Sequence, residues 1–151
     1  WKIERHGFAS LKGGLELTYQ RMVEAMDAAI ADENAAELHE WRKHTKYHWH
    51  HVSLFGRAAP ELLGGHRDLL DTLGEVLGDH HNLHVLRQSL AAQPGPLGAR
   101  DVDAVATVIT RQQSQLAGRA FALGRQLTAE KPGALRRRFG QLWQLLPRKA
   151  E

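Results

Sequence analysis

The run LHEWRKHTKYHWHHVSLF, from Leu38 to Phe55, carries two patterns at helical spacing. Placed on a wheel at about 100° per residue, His39, Arg42, Lys43, Lys46 and His50 fall within an arc of roughly 100°. Leu38, Trp41, Thr45, Val52 and Phe55 fall on another arc, centred roughly 140° away. One face of this segment therefore packs and the other is basic. Glu37 and Glu40 are read as pointing away from the basic arc. The stripe stacks its cations along about three helical turns, where like charges repel by tenths of a kcal/mol per pair. A chain of phosphates would reverse that repulsion. Arg binds phosphate in a bidentate fork, Lys as a point charge, and His adds a donor. The competing reading is a solvated face, or ion pairs to acidic residues of the next helix.

Outward from this segment the punctuation predicts helices and no strands. Gly13-Gly14 precedes a first helix over roughly 15–31, ending near Asp32. The basic segment forms the second, from about Ala35 to Phe55, closed by Gly56 with Pro60 beyond. A third begins near Pro60 and reaches Leu77-Gly78, and Asp79 is placed to N-cap a continuation to about Ala92. Gln93 to Gly98, QPGPLG, is a loop. A long helix from Asp101 to about Glu130 follows, then Lys131-Pro132-Gly133, then a short helix to Leu146, stopped by Pro147. Leu69, Leu70, Leu73, Val76 and Leu77 make an apolar stripe on the third helix. Val102, Val105, Ile109, Leu116, Leu123 and Leu127 make one on the fourth. The expectation is an all-α chain: one domain over residues 1–151, an antiparallel four-helix bundle with a short C-terminal helix.

Composition sets limits on this. The chain has 151 residues, 20 Lys plus Arg, 17 Asp plus Glu, 10 His and no cysteine. That length suits one core. Without cysteine there is no disulfide scaffold, thiol nucleophile or thiolate metal site. No apolar run approaches the ~18 residues a membrane span requires. The basic excess is uneven, because residues 93–151 hold ten basic against four acidic side chains. Such a surplus favours acidic partners. The opening Trp1-Lys2-Ile3-Glu4 is neither an initiator Met nor a signal peptide, and reads as a cut from something longer.

The histidines offer a second chemistry. His44, His48 and His51 stand at i, i+4 and i+7, while His80 and His84 are i, i+4 and His81 and His84 are i, i+3. Three imidazoles on one face are what zinc or a similar ion takes. His48 also lies near the apolar edge, where packing alone would account for it, and no carboxylate is placed as a fourth ligand. Enzyme motifs are missing. His39-Glu40 opens like a zinc-protease helix, but Lys43 stands where the closing His belongs. There is no glycine-rich phosphate loop, no nucleophile elbow and no paired carboxylate site. The expectation is a protein that is not an enzyme and needs no cofactor.

Two blocks together resemble the CHAD family, the conserved-histidine α-helical domain. The first is His39, Trp41, Arg42, Lys43, Lys46 and Trp49. The second is LGDHHNLHVL, with Leu77, Gly78, Asp79, His81, Leu83, Val85 and Leu86 matching. A fainter echo is Glu130-Lys131-Pro132 followed by Arg137, Phe139 and Trp143. The resemblance implies one half of a two-bundle module, by position the C-terminal repeat, binding inorganic polyphosphate without catalysis. It implies that His39, Arg42, Lys43 and Lys46 face phosphate. His81 and Asp79 match the family's other histidine and the acid before it, and are read as structural polar residues. A second repeat or a triphosphatase domain is the implied protein partner, and a cytoplasmic setting near polyphosphate granules the implied location. The chain departs from the pattern at Asn82, where Asp is usual, at His50, where an aromatic is usual, and in its first helix. There Glu16, Gln20 and Glu24 flank Arg21 in place of an arginine-rich face.

Three readings from different classes follow. The first is polyphosphate binding by His39, Arg42, Lys43, Lys46 and His50, with Arg21, Arg111, Arg119 and the run Arg136-Arg137-Arg138 around them. The second is a metal-binding bundle using His44, His48 and His51. The third is a structural module that exposes an apolar patch to a partner domain. Nucleic acid is disfavoured, since the basic helix lacks exposed aromatics spaced to stack bases. Histidines within the basic stripe would also make polyanion binding tighter at pH 6 than at pH 8.

Overall fold

A computed structural model describes residues 7–56, 59–93, 95 and 98–145. It contains α1 (Phe8–Ala31), α2 (Ala35–Gly56), α3 (Pro60–Ala92), α4 (Ala99–Leu127) and α5 (Pro132–Gln144). No strand occurs among the described residues. The all-α expectation holds. The opening tetrapeptide, part of the expected loop after Gln93, and the expected stop at Leu146-Pro147 lie outside the described residues.

The helices bury most of the face their spacing marks, but on α4 Val105 of the expected stripe is exposed, and Val102 and Leu123 are only partly buried. On α2, Leu38, Trp41, Thr45, Val52 and Phe55 are all at most 2% exposed, and His48 joins them at 0%. On α3 the core face is Leu70, Leu73, Val76 and Leu77, and on α4 it is Ile109, Leu116 and Leu127. Consecutive helices pack side by side, α1 on α2, α2 on α3 and α3 on α4, and α5 lies along α1. The α4 stretch around Gly124 closes the ring back toward α1 and α2. A Cβ on Gly124 would lie 2.6 Å from both Met26 Sδ and Trp41 Cζ2, so only glycine permits this approach. The Trp41 ring stacks on Phe121 at 5.6 Å between centroids. Tyr19 donates from its buried hydroxyl to the Glu130 carbonyl at 2.7 Å, with the Leu127 carbonyl at 3.1 Å. It thereby satisfies carbonyls that a helix end leaves free. At the opposite end α5 inserts Phe139 beside Phe55, which also meets Phe8 and Trp143 edge to face.

Three boundaries differ from the sequence expectation. The first helix starts at Phe8, and Gly13-Gly14 lie inside it. Phe8 is anchored against Phe55, and Gly14 gives room to the His51 ring, whose Nε2 would sit 2.8 Å from a Cβ there. Packing outweighs the ~1 kcal/mol that a mid-helix glycine costs. The third helix does not break at Leu77-Gly78, so Asp79 is an exposed mid-helix residue and caps nothing. The fourth helix starts at Ala99 and ends at Leu127, earlier than Glu130. At 33 residues α3 spans about 50 Å, against about 33 Å for the 22 residues of α2. The far end of α3 and the start of α4 therefore run on beyond α2. Val85, Leu86, Val105 and Val108 of this extension are between 39% and 67% exposed.

Candidate functional site

The basic face of α2 forms one wall of a groove of about 650 Å³ whose other wall is α3. Arg42, Lys46 and His50 come from α2 at successive turns, with Trp49 beside them. Facing them are Asp71, Glu75 and Asp79, at i, i+4 and i+8 on α3. Leu70, Gly74 and Gly78 also line the groove. The expected alternative of ion pairs to the acidic helix is not realised. Among the described residues no carboxylate comes within ion-pair distance of Arg42 or Lys46. Two cations, an imidazole and three carboxylates thus face each other across open space.

Gly78 explains how Arg42 reaches this position. A Cβ at Gly78 would lie 3.2 Å from Arg42 Nε, so the guanidinium stem rests on bare helix backbone. That Nε is shielded from solvent and has no hydrogen-bond partner. One turn toward the α2 N-terminus, the His39 ring lies 4.4 Å from that of His81, centroid to centroid. Burial lowers the His81 pKa, and His39, Arg42 and His84 push it the same way. The two blocks that carried the sequence resemblance therefore meet across one helix interface.

Other expected site residues are placed elsewhere. Lys43 sits outside the groove and pairs with Glu40 at 2.7 Å. This corrects the reading that Glu40 points away from the cations, since an i, i+3 pair on a helix is within reach. The Lys43 pKa is raised and the Glu40 pKa lowered, each first by their hydrogen bond. Arg21 on α1 and Arg111 and Arg119 on α4 are exposed and do not line the groove. Arg137 lines a separate pocket of about 390 Å³ with Lys12 and Arg136. Arg136 is bound to Glu16 at 2.9 Å, and Arg138 is paired with Glu130.

The histidines proposed for metal are not brought together. His48 is fully buried, its ring 5.2 Å from Tyr19 and 5.8 Å from His66, with Nδ1 at 3.3 Å from Thr18 Oγ1. Burial pushes its pKa down to about 3 and that of His66 to about 4. The His51 ring lies against Gly14, and its Nδ1 is 3.0 Å from the Tyr47 carbonyl oxygen. The His44 ring meets Tyr47 edge-on at 5.9 Å. Among the described residues no three His, Asp or Glu side chains gather as a metal ion needs.

The sequence reading marks the next helix as acidic but does not single out Asp71, Glu75 and Asp79 as one wall, though they are spaced to share a face. Their role depends on which part of α3 lies opposite Arg42, and no local pattern reports that register.

The site is thus a mixed-charge groove on a helical bundle, built by a His-Arg-Lys helix and an LGD helix. The CHAD domain family model matches residues 5–91, and the chain belongs to that family. The match spans α1 to the end of α3, and the fainter echo in α5 lies beyond it. No curated protein and no solved structure matches the chain. No helix among the described residues is long and apolar enough to cross a membrane.

Proposed function

We propose that this bundle binds inorganic polyphosphate, without catalysis, along the α2 wall of the groove. The observation that carries the reading is the row of Arg42, Lys46 and His50 on successive turns, uncompensated by any direct ion pair. Arg42 supplies a fork for one phosphate, Lys46 a point charge for another, and His50 a further donor. His39 extends the row at one end. Lys43, held by Glu40, contributes less than the sequence expectation assigned to it.

The acidic wall shapes the selectivity. A small monoanion gains little from cations that already feel three carboxylates a groove-width away. A polyanion engaging several cations at once overcomes that background. Membership of the CHAD family supports a polyphosphate-related role in general, and the groove supplies residues suited to it.

The experiment is a titration with long-chain polyphosphate at rising salt, on the unaltered chain and on the Asp71→Asn, Glu75→Gln double variant. Affinity should fall as salt rises, as for any binding that displaces counterions. The variant should bind several-fold more tightly at every salt concentration. Salt-independent binding, or weaker binding by the variant, would contradict the reading.

A second reading, a docking module for a triphosphatase domain or another repeat, is favoured by one observation. Val85, Leu86, Val105 and Val108 stand exposed where α3 and α4 outrun α2. Light scattering tests it, since self-association through that end would be lost in Val108→Asp.

A further inference from the structure

A cavity of about 440 Å³ opens between the start of α2, the outer part of α3 and the middle of α4. It is separate from the groove and shares no lining residue with it. Its α3 wall is His80, His84 and Arg87, one turn apart from each other along one helix face. His80 is part of this wall although the residue is only 7% exposed. Among the described residues no hydrogen-bond partner meets its side chain. His84 Nδ1 is shielded from solvent and unpartnered, so it does not face the open cavity. No carboxylate lies within ion-pair distance of Arg87 among the described residues. With Arg87 free of any carboxylate and the His80 side chain without a hydrogen-bond partner, this wall presents unmet hydrogen-bonding capacity to the cavity.

The α4 wall is polar and uncharged. Gln113, 7% exposed, holds its place by donating from Nε2 to the His80 carbonyl at 3.3 Å. Ser114 adds a hydroxyl. Thr110 spends its proton on the Ala106 carbonyl at 2.9 Å and is left as an acceptor. Glu33, exposed at the mouth, is the one carboxylate among the lining residues. The His80 pKa is lowered by burial and then by the basic groups His84, His81 and Arg87.

We infer that this cavity is a second anion site, taking a phosphoryl oxyanion. The chemistry matches on three counts. Arg87 offers the planar fork that oxyanions accept. Two imidazoles and a serine hydroxyl supply further donors at different heights. The space exceeds many times the ~30 Å³ share of one water, so a phosphate enters with part of its hydration. A metal cation fits poorly, because Arg87 repels it and no third ligand is gathered there. The phosphoryl group comes from one of two sources, free inorganic phosphate or the end of a phosphate chain.

The test follows the imidazole resonances of His80 and His84 by NMR as inorganic phosphate is added, with chloride holding ionic strength constant. Both should shift and saturate in the unaltered chain and in Arg42→Ala with Lys46→Ala, whose groove is disabled. In Arg87→Gln the apparent affinity should fall at least tenfold, with helical content unchanged by circular dichroism. A second arm repeats the titration on the groove variant with long-chain polyphosphate in place of phosphate. Saturating shifts there assign the chain end as the source, and shifts with phosphate alone assign the free ion. Absence of shifts, shifts unchanged in Arg87→Gln, or a response to zinc but not to phosphate would overturn the site. Loss of shifts in the groove variant would overturn its independence. Failure here leaves polyphosphate binding in the groove untouched, because the two sites share no residue.

Discussion

The rings of His39 and His81 lie 4.4 Å apart, tilted by 33°, at the end of the charged groove. Each comes from one of the two sequence blocks that mark the family. Their contact fixes the register of α2 on α3, and with it the placing of Arg42 over Gly78. It also sets a charge balance. The His81 pKa is lowered by burial, and His39, Arg42 and His84 lower it further, so the free protein disfavours the imidazolium. A polyanion laid along the row favours it. Binding should therefore take up protons and be tighter at pH 6 than at pH 8, at fixed salt. Calorimetry in two buffers of different ionisation enthalpy measures that uptake. Zero uptake would make His81 structural.

A second pH effect belongs to the core. His48 and His66 stay neutral in the folded chain, with pKa values pushed down to about 3 and about 4 by burial. In the unfolded chain both titrate near the ordinary ~6.5. Stability is therefore complete above about pH 6.5 and is lost as the pH falls from there toward the folded values. By pH 4 the loss from His48 alone should be on the order of 3 kcal/mol. Urea midpoints measured from pH 7 to pH 4 check this. His48→Leu should flatten much of the acid limb, and an unchanged limb would place its origin elsewhere.

The same substitution should act with opposite signs at two glycines. Gly124→Ala puts a methyl 2.6 Å from Met26 Sδ and Trp41 Cζ2 and should destabilise by about 1–3 kcal/mol. Gly13→Ala meets nothing within 4 Å and should stabilise by up to about 1 kcal/mol. Thermal midpoints of the two variants decide the matter. Equal shifts would mean that the approach of α4 to Trp41 is looser than described.

The sequence made the local part of this fold legible. The apolar arc of α2 is buried throughout, with His48 added to it, because helical period and burial are linked at short range. Gly13-Gly14 misled because glycine's weak propensity is overridden once Phe8 and His51 pack around the helix. Asp79 misled for a related reason: Leu77-Gly78 looks like a stop, yet Gly78 is there to admit Arg42. The site was half legible. Arg42, Lys46 and His50 share one helix, so their spacing revealed them. Asp71 and Glu75 became its opposite wall only through tertiary register. Arg111, Arg119 and Arg137 were grouped by charge alone, and charge carries no address in three dimensions. Glu40 lay within i, i+3 reach of Lys43 and was legible, although its bond removes Lys43 from the free row.

If the α2 row holds polyphosphate, its two permanent cations should be indispensable. The direct measurement is retention of long-chain polyphosphate by the Arg42→Ala, Lys46→Ala double variant, with helical content followed in parallel. Both side chains line an open groove, so the fold should survive. Helicity should be unchanged and binding reduced at least a hundredfold. Retention equal to that of the unaltered chain, with the fold intact, would contradict polyphosphate binding by this row.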